Sequence, residues 1–520
     1  MTQSINRSEA KVTGSKLWIT IAAMMASLMA VLDISIVNVA LNDIRSSFSV
    51  QLDQIAWVST GYMMANIVVI PMTGWFQRKF GVKNYFIFSL ILFTVASFLC
   101  AFSWNLTSLV VFRILQGMGG GAIIPTASTI LISRYPKEEQ GMAQAFIGLG
   151  AITGPLLGPS LGGYLIDISS WHMIFLINIP VGIVALIILV KSLKEENFFP
   201  SKQKLDKYGF LLLAVGLASL QYVLEEGNRN DWFESPIIVL FSIVSLACLV
   251  TIVFQQLESN EPMIDFRVFK NRNYILCTSI NFILGTTLFG GSFLFSLYCG
   301  TVMNYTPLDI GILFLKGCFI QILIMPIIGK IVNIIDKRLL IGFGIILVFI
   351  SLWYNSRLNH FSSQYDLVFV LFARSIGLSF LFVPLSVTAI SFVEPKGIGN
   401  AIGLFNLTRE LGGSIGLAWM STKLVNHIKE YNNILNTHVI EGSPQLNYQL
   451  RMMEYMLYGK VDNSYKAAEQ MLQNRVSLQA TIESFNKGFF TLALVFLLSI
   501  IILILIQNPK KRVVSSEGFH

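Results

Sequence analysis

"LWITIAAMMASLMAVLDISIVNVAL", residues 17–41, contains a single charged side chain, Asp33. A bilayer's hydrocarbon core is about 30 Å thick, and roughly 20 predominantly apolar residues of helix cross it. The stretch therefore reads as a membrane span. Asp33 follows a run of apolar or small residues from Ile19 to Leu32, with no Lys or Arg nearby in sequence. At such a depth a carboxylate costs roughly 2.5–3.5 kcal/mol on insertion scales unless it is paired, wet or protonated. A residue kept at that cost is a functional candidate. Burial disfavours the charged form of a carboxylate in general, which suits a group that takes up and releases a proton.

The rest of the chain repeats the pattern. Of its 520 residues 54% are hydrophobic and 13% charged, and the mean hydropathy is +0.65. Soluble proteins carry about 25% charged residues, so the composition is that of a membrane protein. Fourteen apolar segments are expected as helices: 17–41, 55–75, 84–103, 106–132, 141–166, 172–191, 207–225, 235–256, 274–299, 309–333, 338–355, 366–392, 399–422 and 488–507. The first is too long for a signal peptide and lacks a small-residue cleavage site, so it reads as a retained span. With the N-terminus inside, Lys and Arg crowd the tails and inside loops, while the short outside loops hold very few. That is the positive-inside pattern, and it explains the net charge of +8 better than nucleic-acid binding does. Both termini are then cytoplasmic.

Two long connections interrupt the short loops. One is the charged linker "KSLKEENFFPSKQKLDK" (191–207). The other, 423–487, contains "YQLRMMEYMLYGK" and "YKAAEQMLQNRVSLQATIESF", which have helical periodicity but are too polar to span. It is expected to form a helical elaboration on the outer face. "GWFQRKFGVK" (74–83) has a counterpart in "GKIVNIIDKR" (329–338), and "FRILQGMGGGAIIP" (112–125) in "FARSIGLSFLFVP" (372–384). Such echoes indicate a duplicated six-helix unit. The expected organisation is a tail (1–16), a six-helix half (17–191), a linker (192–206), an inserted helix pair (207–256), a second half (274–507) that includes 423–487, and a tail (508–520).

No nucleotide-binding, nucleophile or metal-ligand pattern appears. The five cysteines lie in or beside apolar runs and read as core residues; no cofactor is expected. The chemistry rests on a few intramembrane polar residues. Arg113 cannot shed its charge and needs a partner; it is either a structural arginine or a charge-coupling one. Gly117 and Gly121 follow at a spacing of four and let another helix approach. In "GAITGPLLGPSLGGYLID" (150–167), Gly150, Gly154, Gly158 and Gly162 make one smooth stripe, with Pro155 and Pro159 between them. Close packing accounts for the stripe, and the prolines add a bendable helix suited to gating. Arg409 and Glu410 are adjacent, so on a helix they point about 100° apart, which argues against their pairing. Lys316 and Arg374 either face a cavity or snorkel to the interface. With Asp33 cycling, the remaining mid-membrane charges sum to net positive, which favours neutral or acidic hydrophobic substrates over cations.

"LDISIVNVAL", "TGWFQRKFG", "FRILQGMGGGAIIP", "LGPSLGGYLID", "WHMIFLINIPVG", "NDWFESP" and "NLTRELGGSIG" occur in that order. As a set they resemble the EmrB/QacA family of fourteen-helix drug:proton antiporters in the major facilitator superfamily, from about residue 17 to 507, and most nearly its EmrB type. The resemblance implies an all-α major facilitator fold with fourteen transmembrane helices arranged six, two and six. It implies proton coupling through Asp33 and Arg113; Glu410, where related sequences often have an uncharged polar residue, is a further candidate, and Asn38, Gln116, Arg409, Lys316 and Arg374 are the candidates for a substrate cavity. It implies gating and packing roles for Gly74, Gly81, Gly117, Gly121, Gly154, Pro155, Gly158, Pro159, Gly162 and Gly163. Arg78 stands where the superfamily usually has an Asp, so any gating ion pair there differs. The resemblance further implies a multi-pass protein of the inner membrane that exports small molecules against protons. A periplasmic adaptor (membrane fusion protein) and an outer-membrane channel are its implied partners. Export of one native metabolite, such as a siderophore, stays open, as does a remoter reading as a sensor or membrane enzyme.

Overall fold

The computed structural model describes residues 2–193, 205–394, 397–438, 444–458 and 463–507. Among these the chain is helical, with no strand. In order run α1 (Thr2–Phe48), α2 (Leu52–Ile55), α3 (Trp57–Phe80), α4 (Val82–Ala101), α5 (Leu106–Arg134) and α6 (Gln140–Ile168). There follow α7 (Met173–Leu176), α8 (Asn178–Ser192), α9 (Lys207–Glu226), α10 (Pro236–Glu258), α11 (Arg272–Thr301) and α12 (Pro307–Ile331). The last five are α13 (Lys337–Asn355), α14 (Gln364–Ile390), α15 (Ile398–His438), α16 (Pro444–Leu457) and α17 (Ser464–Ile504). Helix starts carry the expected caps: the Asn105 side chain accepts from the Ser108 amide at 2.7 Å, and Thr306 caps α12 with Pro307 at its first position. Gly81, at φ 85°, takes the left-handed turn that separates α3 from α4.

Among the described residues, eleven helices are long and apolar enough to cross a membrane. The helices α3, α6 and α15 are not among them. They supply much of the polar and close-packed lining between the bundles, including Asn66, Gln77 and Arg409. The expected ranges 399–422 and 488–507 are each part of a longer helix of 41 residues. No Gly or Pro interrupts 423–438 or 464–487, so α15 runs on past its apolar part and α17 begins well before its own. The expected tail 1–16 is likewise the start of α1. Most of the 192–206 linker and the 508–520 tail lie outside the described residues.

Successive helices run in alternate directions. One end of the molecule gathers Lys16 against Glu139, the Asn333 side chain donating to the Glu138 carbonyl, and Gln507 donating to Asn273 at 3.0 Å. This is the end rich in Lys and Arg. The far end gathers Trp171 on Ser47 at 3.0 Å, Trp232 on Thr422 at 3.0 Å and Tyr298 on the Asn359 carbonyl at 2.8 Å. Outward faces are apolar: Phe254 on α10, Phe319 on α12 and Leu498 on α17 are more than half exposed. An apolar exterior around a partly polar interior suits lipid as solvent.

Helices α1 and α3–α8 share two hydrophobic cores, and α11–α15 with α17 share another. The two bundles meet along two seams, α6 against α12 and α3 against α15. Helices α9 and α10 pack on each other, with α9 lying against both α3 and α15. The basic end is shut. A Cβ at Gly74 would come within 2.8 Å of the Asn400 backbone, and Ile132, Ile390 and Ile402 close over it from both bundles. Helices α16 and α17 enclose a small core of Leu450, Met453 and Ala468.

Candidate functional site

Helix α1 lies close against α6. A Cβ at Gly154 would press on Val31 at 2.8 Å, and one at Gly158 would collide with Ser35. The glycine stripe thus packs on the turn of α1 that carries Asp33. Side chains of Pro155 and Pro159 are outside the described residues. A Cβ at Gly162 would sit tightly, 3.0 Å from Ile36, whereas one at Gly163 would meet Pro307 at an ordinary 3.6 Å.

Asp33 is 0% exposed. Its Oδ2 accepts from Arg113 Nη1 at 2.5 Å. Its Oδ1 accepts from Gln116 Nε2 and from Asn178 Nδ2, both at 2.8 Å. Gln116 and Asn178 each also donate to the Ser97 hydroxyl at 3.1 Å, and Ser97 donates to the Phe175 carbonyl at 2.9 Å. Arg113 Nε donates to the Val58 carbonyl at 3.1 Å, and Nη1 also reaches Gln116 Oε1 at 2.8 Å. The guanidinium lies 4.1 Å from the Tyr62 ring centroid. Six helices, α1, α3, α4, α5, α7 and α8, supply this network. The close approach of α3 to α5 depends on Gly117 and Gly121, where a Cβ would collide with the carbonyls of Tyr62 and Asn66. Every hydrogen bond on Asp33 comes from an N–H: one on Oδ2 and two on Oδ1.

Between the bundles is a small cavity of about 20 Å3. Ala30, Ile34, Ile70, Ile124, Leu288 and Phe289 give it apolar walls; Asn66, Asn406, Arg409 and Glu410 give it polar ones. The Tyr62 side chain separates the cavity from the Asp33 network. Its hydroxyl donates to the carbonyl of Ala30, a cavity residue, at 3.3 Å while its ring carries Arg113.

Several sequence expectations are corrected. Arg409 and Glu410 do pair, at 3.6 Å, because their long side chains bridge the angle between adjacent positions. Gln116 belongs to the Asp33 network, not to the cavity. Asn38 is exposed toward the far end, where it accepts from Ser59 at 2.8 Å. Lys316 stands on the outer face of α12 among exposed Ile312, Leu315 and Phe319, which fits a snorkelling anchor. Arg374 is buried but not among the residues lining the cavity; its Nη2 donates to the Leu288 carbonyl at 2.8 Å and to Ser292 Oγ at 2.6 Å. Sequence reading missed Asn178, Ser97 and Tyr62. Asn178 had a signal, being a lone carboxamide in the apolar run "FLINIPVG".

At the basic end Arg78 donates to the Met263 carbonyl at 3.3 Å. Asn400 of α15 exchanges two hydrogen bonds with Asp265, at 2.9 and 3.1 Å. Met263 and Ile264, fully buried, wedge between α3, α15 and the α9–α10 pair. The segment joining α10 to α11 thus occupies the place where a gating contact was expected.

The Major Facilitator Superfamily profile matches residues 23–417. Over 501 residues the chain is 30% identical to the "Multidrug export protein EmrB" of Haemophilus influenzae, covering 95% of this chain and 96% of that one. Over 442 residues it is 30% identical to the "Fatty acid resistance protein FarB" of Neisseria gonorrhoeae, covering 82% and 87%. The crystal structure of the human organic anion transporter MFSD10 (TETRAN) superposes with a TM-score of 0.59 over 94% of this chain and 99% of that one, at 12% identity, a likeness of fold alone.

Proposed function

The chain belongs to the Major Facilitator Superfamily, in the family of the EmrB multidrug export proteins, and from that premise we propose that it is a proton-driven exporter of hydrophobic compounds. It is a transporter and not an enzyme. The observation that carries the coupling claim is the buried Asp33–Arg113 pair, one side chain away from a cavity between two bundles.

In the proposed cycle a proton arriving from the outer side neutralises Asp33 as Arg113 and the two carboxamides let go. The freed guanidinium moves on its Tyr62 seat, the bundles rock about the cavity, and Asp33 releases the proton inside. One charge falling through about 100 mV supplies about 2.3 kcal/mol for the uphill export. The finer parts of the reading are a six-two-six division into fourteen spans, cytoplasmic termini in the inner membrane, and neutral or weakly acidic substrates. An adaptor engaging the far-end helices α15–α17 completes it. These parts draw support from the charge asymmetry of the loops and from the names of the relatives.

The test is an imposed pH step across vesicles containing the purified protein and a lipophilic fluorescent dye. Asp33→Asn keeps the size and most of the hydrogen bonds of the site. Dye accumulation by this variant should fall to that of protein-free vesicles; a retained gradient would remove Asp33 from the coupling role.

A further inference from the structure

The helix pair α9–α10 and the segment that follows it are tied into one piece. Gln255 and Gln256 donate to Asp206 Oδ2, at the start of α9, at 3.0 and 2.8 Å. Gln256 Oε1 accepts from the amides of Met263 and Ile264 at 2.7 and 3.2 Å. Ser245 of α10 donates to the Gly216 carbonyl of α9 at 3.0 Å. Arg267 donates back to the carbonyls of Leu257 and Ser259, at 3.1 and 2.7 Å. This piece touches both bundles, and the two contacts differ in kind.

Toward the C-terminal bundle the piece is pinned at both ends. At the far end Asn228 donates to Ser421 at 3.2 Å and Trp232 to Thr422 at 3.0 Å. At the basic end Asn400 and the Asp265 backbone exchange their two hydrogen bonds, and Val268 and Phe269 pack on the C-terminal core. Toward the N-terminal bundle the contact is a broad apolar face. Leu213 and Leu217 of α9 and Ile252 of α10 share a core with Ile67, Ile70 and Trp75 of α3, beside Leu404 and Leu407 of α15. Tyr222 stacks on Trp57 of α3, and Arg78 reaches the Met263 carbonyl at 3.3 Å, a long hydrogen bond. Hydrogen bonds are directional, and breaking a buried one strands both partners. Apolar contact has no preferred direction, so such a face slides at little loss while it stays covered.

We propose that α9, α10 and the segment 259–271 travel with the C-terminal bundle, and that the basic end opens between them and α3. Met263 and Ile264 are then the wedge that α3 leaves, and Arg78 is the clasp that lets go. The proposal deepens the exporter reading: it rests on the rocking of the two bundles and names the surface that parts.

The test uses two double-cysteine variants of the full chain in vesicles, tethered by a short bis-methanethiosulfonate that a reductant cleaves. Arg78→Cys with Asp265→Cys ties α3 to the segment across the basic-end pocket that both residues line. Asn228→Cys with Ser421→Cys ties the inserted pair to α15. The native chain, carrying the same five cysteines, goes through the same treatment as control. The first tether should cut dye export driven by a pH step about tenfold or more, and reductant should restore it. The second should leave export within about twofold of its own reduced form. The reverse result, or equal effects of the two tethers, overturns the proposal. Distances read the same motion without transport and with different substitutions. Spin labels at Tyr208→Cys and Phe80→Cys, exposed on α9 and α3, should show two populations several ångströms apart. Labels at Tyr208→Cys and Leu339→Cys, on α9 and α13, should show one. One population for the first pair, or two for the second, overturns the proposal. That holds even where native vesicles build no gradient, which is the separate failure of the exporter reading.

Discussion

Each bundle buries an arginine on its fourth long helix, and the two are treated differently. Arg113 meets a carboxylate, a carboxamide, a backbone carbonyl and an aromatic ring. Arg374, in the matching sequence context, meets a backbone carbonyl and a serine hydroxyl. Asp33 lies on the first helix of its bundle, and Ser292 on the first of the other. The matching positions therefore hold a cation in both bundles and a carboxylate beside it only in the N-terminal one, while the C-terminal bundle carries its ion pair elsewhere, at Arg409–Glu410.

The largest expected effect breaks that comparison directly. Arg113→Met strands a buried carboxylate, which should cost about 3–5 kcal/mol of stability. Arg374→Met removes a charge that has only neutral acceptors and should stay within about 1 kcal/mol of the native protein. SDS-unfolding midpoints in mixed micelles measure both, and equal losses would show that the two sites are equivalent. Next comes the reverse experiment. Ser292→Asp gives Arg374 the partner it lacks and should stabilise the protein by about 1–2 kcal/mol in the same assay. A destabilised variant would mean that the C-terminal site cannot admit a second charge.

Tyr62→Phe probes the link between the N-terminal site and the cavity. It keeps the ring beneath Arg113 and deletes the hydroxyl that reaches Ala30. About 0.5–1 kcal/mol of stability should go. Looser coupling, read as fewer dye molecules exported per proton, should accompany it; unaltered stoichiometry leaves Tyr62 as mere packing. The smallest effect belongs to the far-end helices, which only the C-terminal bundle carries. Glu430 accepts from His427 at 3.0 Å and lies 3.4 Å from Lys487, and these partners hold its carboxyl below the usual glutamate value of 4.5. A depressed folded-state pKa gives stability that is present above the unfolded value and is lost as pH falls through the folded one. Hydrogen-exchange protection in 423–487, corrected for the intrinsic pH dependence of the rate, should therefore fall below about pH 4 and stay flat above pH 5. Constant protection across that range would show that the tie does not hold α15 to α17.

The sequence made the helices legible because lipid imposes a crude rule, length times apolarity, and all fourteen expected ranges overlie helices. Asp33 and Arg113 were legible for the same reason, as charges standing where charge is expensive. What periodicity could not supply was azimuth. Lys316 and Arg409 look alike as basic residues in apolar runs, yet one faces outward and the other lines the cavity. Helix α12 is apolar on every side, so its pattern does not mark an inward face. Gln116 was named for the cavity and serves Asp33 instead, one residue from Gly117 and on a different face. A neutral support such as Ser97 carries little sequence signal because hydroxyls are common in spans.

The inserted pair α9–α10 has a consequence for traffic within the bilayer. Of the two seams between the bundles, α3–α15 is roofed along one side by α9, with Met263 and Ile264 driven in beneath it. Among the described residues no helix covers the α6–α12 seam as α9 covers the other. A compound dissolved in the membrane is therefore expected to find a wall on one flank and a bare joint on the other, so any sideways entry from a lipid leaflet is expected beside α6 and α12.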